Sequence, residues 1–167
     1  MLRGVRIYSD REELHAHRSW DETMKAIKSM DACFVTGHNA IHAGIAISKI
    51  KRLLLPDPTA RSTIGYGHAM KDNTQEELIR KTTAAAKANN IKVRWLNEYC
   101  GYAFFVADRD ELNPYVHIEF ALPGQPIGHR PAITVSKKTH PKIFKTFVDT
   151  YDSLWDNHSR EPDNGSR

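Results

Sequence analysis

The sequence predicts an α/β protein built on a mixed β-sheet flanked by helices on both faces. Three observations carry this. Helical and strand-like segments alternate through the first half, four strand-like runs follow one another in the second, and an amphipathic helix closes the chain. With 167 residues, 40% of them apolar, one sizeable core is within reach. A single domain over residues 1–158, its core about 23–158, and a flexible tail over 159–167 are expected.

Taken in order, Ser9-Asp10-Arg11-Glu12 has the capping-box spacing, an oxygen at the cap and a carboxylate three residues on, so a helix should start there. Trp20, Met24, Ile27 and Met30 recur at helical spacing, which gives one long helix or two short ones reaching about Met30. Ala32, Cys33, Phe34 and Val35 read as a buried strand turned by Thr36-Gly37. A second helix starts at His38 or Asn39 and carries Ile41, Ile45 and Ile47 to about Lys49. Leu53, Leu54 and Leu55 form a second buried strand, stopped by Pro56-Asp57-Pro58.

Residues 59–72, with Gly65 and Gly67, read as a loop. Thr74-Gln75-Glu76-Glu77 is another capping box, opening a helix with Leu78, Ile79, Thr82 and Ala86 inward and Asn89-Asn90 at its end. Ile91, Val93 and Trp95 alternate with Lys92 and Arg94 as a strand does, and 103–107, 115–121 and 132–135 follow as further strands without a helix between them. Thr139 caps the final helix, Pro141 lies in its first turn, and Ile143, Phe144, Phe147, Val148, Tyr151, Leu154 and Trp155 share one face.

Lys and Arg number 24 against 20 Asp and Glu, a net charge of +4, but the basic residues are scattered. That mildly favours an anionic partner and supports nucleic acid only weakly. Nine His add positive charge below about pH 6.5, which favours anions on acidification. No apolar run approaches the roughly 20 residues of a membrane span, and the first residues lack a signal peptide's apolar stretch, so a cytoplasmic protein without a membrane partner is expected. Cys33 and Cys100 are too few for a disulfide framework or a four-ligand zinc site, and read as two reduced, largely buried thiols.

Several segments carry a family pattern together. Phe34-Val35-Thr36-Gly37-His38-Asn39, Lys51-Arg52-Leu53-Leu54-Leu55-Pro56-Asp57-Pro58, Ile91-Lys92-Val93-Arg94, Phe104-Phe105-Val106-Ala107-Asp108 and the closing helix occur in the order of one half of a phospholipase D-like fold. Over about 23–158 the chain resembles that superfamily, most closely its non-catalytic modules found with bacterial signalling and regulatory proteins. The family's catalytic pattern is His-x-Lys, four residues, then Asp. Gly101 stands for the His and Ala103 for the Lys, and Asp108 alone keeps its place. Gly can neither attack phosphorus nor Ala neutralise phosphate oxygens, so the resemblance implies a half-domain without the usual chemistry, paired as a homodimer.

Among candidate site residues, Thr36, Gly37, His38 and Asn39 follow a strand and open a helix, where free backbone N–H groups make an anion pocket; Asn39 reads equally as a helix cap. Arg94 could hold phosphate or carboxylate through its fork, or be a solvated surface residue. His117 and Glu119 share a strand face. On a cleft face they could act as base and orienting acid, though a solvent or rim position is favoured. His38 and His42, four apart, lack the further ligands a metal needs, and His140-Pro141-Lys142 has Phe147 where the motif requires Asp. No metal and no cofactor is called for. The first reading is a non-catalytic module sensing a small phosphate-bearing ligand. Its rivals are a phosphodiesterase or nuclease built on His38, His117 and Glu119, and a basic nucleic-acid-binding regulator.

Overall fold

A computed structural model describes residues 5–16, 19–35, 47–98, 100–122, 124–125 and 129–163. Its strands are β1 (Val5–Tyr8), β2 (Met30–Cys33), β3 (Ile50–Pro56), β4 (Lys92–Leu96), β5 (Tyr102–Ala107), β6 (Tyr115–Phe120), β7 (Ala132–Ser136) and β8 (Ser159–Arg160). The helices among the described residues are α1 (Arg11–Ala16), α2 (Ser19–Ala26), α3 (Arg61–Ala69), α4 (Gln75–Ala88) and α5 (Pro141–Asn157), with a 3-10 turn at Ile47–Lys49.

All eight strands belong to one sheet in the order β1-β7-β6-β5-β2-β3-β4-β8. β2, β3 and β4 run parallel, and every other pairing is antiparallel. The mixed sheet with helices on both faces is the architecture predicted. One apolar layer packs Leu14, Ile27, Tyr66, Ile79 and Ala86 of the first four helices and their flanks on Leu53, Leu55, Val93, Trp95 and Phe105. The other packs Phe144, Phe147, Val148, Tyr151, Leu154 and Trp155 of α5 on Cys33, Leu54, Phe104, Val106 and Ile118. Alternate residues of β5 enter opposite layers, which is why the strand reads as unbroken apolar sequence.

Several local expectations are corrected. The first cap is Asp10, whose Oδ1 accepts the Glu13 N–H at 2.8 Å while Glu13 Oε2 accepts from the Ser9 N–H and hydroxyl at 2.7 Å, so the box lies one residue later than predicted. Of the two alternatives for the first helical region, two short helices form, but the second ends at Ala26, before Ile27, and Met30 opens β2. Residues 59–72 hold α3. Its end turns sharply: Asp72 N donates to Gly67 O at 2.9 Å, and a Cβ at Gly67 would lie 2.8 Å from the Asp72 carbonyl oxygen, so only glycine allows the turn into α4. Thr74 precedes α4 without capping it through its side chain; Asp72 Oδ1 takes the Thr74 N–H and hydroxyl instead, and Oδ2 takes the Gln75 amide. Likewise His140, not Thr139, occupies the cap of α5.

Ser159 and Arg160, expected in the tail, form β8 against Trp95 and Leu96. Arg160 Nε reaches Asp57 Oδ2 at 2.8 Å and its guanidinium lies over the Trp95 ring. Asp57 in turn accepts from the Thr59 N–H and hydroxyl at 2.8 Å, so the Asp-Pro segment after β3 ties the turn there to the chain's last strand.

Candidate functional site

The carboxyl ends of the parallel strands define one edge of the sheet, the edge where open α/β sheets place their ligands. β5 runs antiparallel to β2, so it starts at that edge with Gly101 just ahead of Tyr102 and ends at the other with Asp108. Gly101 and Asp108 therefore lie at opposite edges of the sheet. Gly101 is exposed, its φ lies outside the left-handed region, and a Cβ there would meet open space. Ala103 is buried in the layer under the first four helices.

Asp108 performs a structural task at the far edge. Its Oδ1 accepts the backbone N–H groups of Lys28 and Ser29 at 2.9 and 3.0 Å, and its own N–H donates to the Ser29 carbonyl, so it clamps the turn leading into β2. It does so at φ 51°, a left-handed conformation that Asp and Asn tolerate better than other non-glycine residues.

The polar groups at the carboxyl edge come from the strand beside the motif. Glu119 pairs in register with Ala103 and His117 with Phe105, and across β7 they face Ala132 and Thr134. Here the favoured solvent or rim position is corrected: His117 is 1% exposed and Glu119 6%. Helices cover both faces of the sheet, so a strand between β5 and β7 has no wet side. His117 Nδ1 lies 3.0 Å from Thr134 Oγ1, its Nε2 3.6 Å from Glu119 Oε1, and its ring stacks obliquely on Phe105 at 5.1 Å. Arg130, two residues before Ala132 and 1% exposed, donates through Nη2 to Tyr66 Oη of α3 at 2.7 Å. An imidazole, a carboxylate, a guanidinium and a phenol are thus buried on the side of the sheet where β5 starts and β6 ends.

Arg94 does not join them. It points to the α5 face, donates to the Ser159 carbonyl at 2.9 Å and lies over the Trp155 ring, with the sheet between it and His117. Thr36, Gly37, His38, Asn39 and His42, with the helix expected after them as far as residue 46, lie outside the described residues, and the last positions expected in that helix, Ile47–Lys49, form a 3-10 turn. Arg130 and Tyr66 escaped the sequence reading because neither sits in a recognisable motif. The burial of His117 and Glu119 had a signal: two polar residues alternating within Val116, Ile118 and Ala121, on a strand already predicted to be covered twice.

The opposite edge holds a second polar region, a depression of about 570 Å³ lined by Asp31, Lys51, Arg52, Lys92, Arg109 and Asp110 among others. Its arginines are engaged. Arg52 reaches Asp31 through Nε at 3.0 Å and Nη2 at 2.5 Å and Asp152 at 3.0 Å, and Arg109 holds both oxygens of Asp152 at 3.0 Å. Burial resists ionisation of Asp152, but the two guanidiniums outweigh it and hold its carboxyl below the usual range. Among the described residues no cluster of three or more His, Cys, Asp or Glu could hold a metal, and no helix is long and apolar enough to cross a membrane.

No family model matches the sequence, and no curated protein matches it. Among solved structures the chain is similar to Nuc of Salmonella typhimurium, described as a phospholipase D family member, at 13% identity and a TM-score of 0.51, over 95% of this chain and 97% of that one. The fold is therefore phospholipase D-like. At this identity the likeness establishes architecture alone.

Proposed function

We propose that this is a non-catalytic phospholipase D-like module, acting as a homodimer, that binds a small phosphate-bearing ligand at the carboxyl edge of its sheet. One observation carries the reading: where the motif would place its nucleophile there is open space at Gly101, and the same edge of the sheet carries a buried cluster containing Arg130, whose fixed charge and planar donors suit a phosphate. Ala103 supplies no charge to the reacting centre. His117 is held between Thr134 and Glu119 in a layer that small side chains and helices close off. Thr36, Gly37, His38 and Asn39 complete the ligand set as expected from the sequence. Arg94 is dropped from it because it faces α5.

A second reading has a specific observation in its favour. His117 Nε2 lies 3.6 Å from Glu119 Oε1, longer than a hydrogen bond but within ion-pair range, and this imidazole–carboxylate pair keeps a phosphodiesterase with a rearranged site in the test. Thermal shift against inorganic phosphate, nucleoside mono- and diphosphates and sugar phosphates, with turnover of a chromogenic phosphodiester followed on the same sample, separates the two. Stabilisation by one anion, about 2.7 kcal/mol at a hundred times its Kd, without turnover supports the module. Turnover that vanishes in His117→Ala defeats it in favour of the enzyme.

A further inference from the structure

The two cysteines stand 67 positions apart in sequence, yet the fold brings Cys33 Sγ and Cys100 Sγ to 3.7 Å. Cys33 is the last residue of β2 and is buried; Cys100 precedes Gly101 and is partly exposed. The pair therefore sits at the carboxyl edge, between the end of β2 and the entry to β5. From 3.7 Å, a modest approach of the sulfurs reaches the ~2.05 Å of a disulfide. Both cysteines are free in this structure.

We propose that Cys33 and Cys100 are a redox modification site, in which a peroxide converts the two thiols into an intramolecular disulfide that joins β2 to the start of β5. Cys100 is the attacking group, because it alone of the two meets solvent. Its thiolate takes an oxygen from the peroxide, the O–O bond breaks, and a sulfenic acid and hydroxide result. The Cys33 sulfur then displaces that oxygen as water, forming the S–S bond, so two electrons pass from the thiol pair to one peroxide. The electrostatics agree with this division of labour. The hydrogen bond from Cys33 holds Cys100 below the ordinary thiol value against the effect of burial, while the same bond and full burial push Cys33 up. The site needs no ligand at the carboxyl edge, so it stands whether or not anion binding there is upheld.

The test uses the full chain, reduced with dithiothreitol, desalted, treated with hydrogen peroxide, then alkylated in denaturant with N-ethylmaleimide and weighed intact. The wild type should lose two hydrogens and both alkylation sites, and regain them on reduction. Cys33→Ser should instead trap Cys100 as a sulfenic acid captured by dimedone, and Cys100→Ser should leave Cys33 thiol intact at the same peroxide dose. Both thiols still alkylated in the wild type, or a disulfide found only between two chains on a non-reducing gel, would overturn the proposal. Equal peroxide reactivity of the two single variants would overturn the assignment of Cys100 as the attacking sulfur.

Discussion

Asp108 stands where the resemblance places the motif's Asp, and its role as a backbone clamp has a measurable signature. Replacing it by Ala removes an ionised acceptor from two N–H groups at 2.9 and 3.0 Å. The site is partly exposed and water can replace part of the loss, so about 1 kcal/mol per bond is the appropriate scale. An Ala at φ 51° adds about 1 kcal/mol of left-handed strain that Asp does not feel in full. Asp108→Ala should therefore cost about 3 kcal/mol. Asp108→Gly escapes the strain but loses both bonds, about 2 kcal/mol. Asp108→Asn keeps an oxygen acceptor and tolerates the backbone, about 1 kcal/mol. Chemical denaturation read by tryptophan fluorescence gives these values, and for a chain of this size about 3 kcal/mol lowers Tm by about 6–12 °C. Asn as costly as Ala would mean the charge itself matters and would refute the clamp; three variants within about 0.5 kcal/mol of wild type would refute it too.

Three further outcomes follow from the same contacts. Asp31→Asn removes the charge of the one buried carboxylate on Arg52, leaving the partly exposed Asp152, and should destabilise by about 2 kcal/mol in a denaturant titration, whereas Lys145→Ala, which removes an exposed ion pair with Asp149, should cost less than about 0.5 kcal/mol. Burial resists ionisation of Asp57, but Arg160 and Thr59 together hold it below the ordinary carboxylate value, as the two arginines hold Asp152. Their contribution is present above the unfolded value of about pH 3.9 and is lost as pH falls through their folded values, so stability should drop below about pH 4 and Asp57→Asn should flatten that acid limb. Gly101→His should leave Tm within about 2 °C of wild type, since a side chain there enters open space and the backbone imposes no glycine; a larger fall would show that the space is occupied.

The alternation of helix and strand, the two-sided burial of the sheet and the apolar face of α5 were all legible, because they rest on periodicities that a sequence displays directly. What escaped was local or long-range in character. α3 was hidden by Gly65 and Gly67, which argue for a loop by propensity, although Gly67 is needed for the close turn that ends that helix. β1 and β8 are too short for a pattern to show, and each is made a strand by its neighbour, β7 or β4. His117 and Glu119 were found as a pair but placed on the wrong side of the solvent boundary, and Arg130 and Tyr66 meet only through the fold, 64 positions apart. The same is true of the cysteines, whose sequence distance concealed a sulfur contact.

The most direct test of an anion site at the carboxyl edge is isothermal titration of the anion that gives the largest thermal shift, into wild type, Arg130→Lys, Arg130→Met and Lys51→Met, with folding of each variant verified by its melt. Lys51 lines the depression at the opposite edge and serves as the control. The account predicts unchanged affinity in Lys51→Met, at least a tenfold loss in Arg130→Met, and a smaller loss in Arg130→Lys, which keeps the charge without the fork. Affinity that survives in folded Arg130→Met and falls in Lys51→Met would place the anion at the other edge and contradict it.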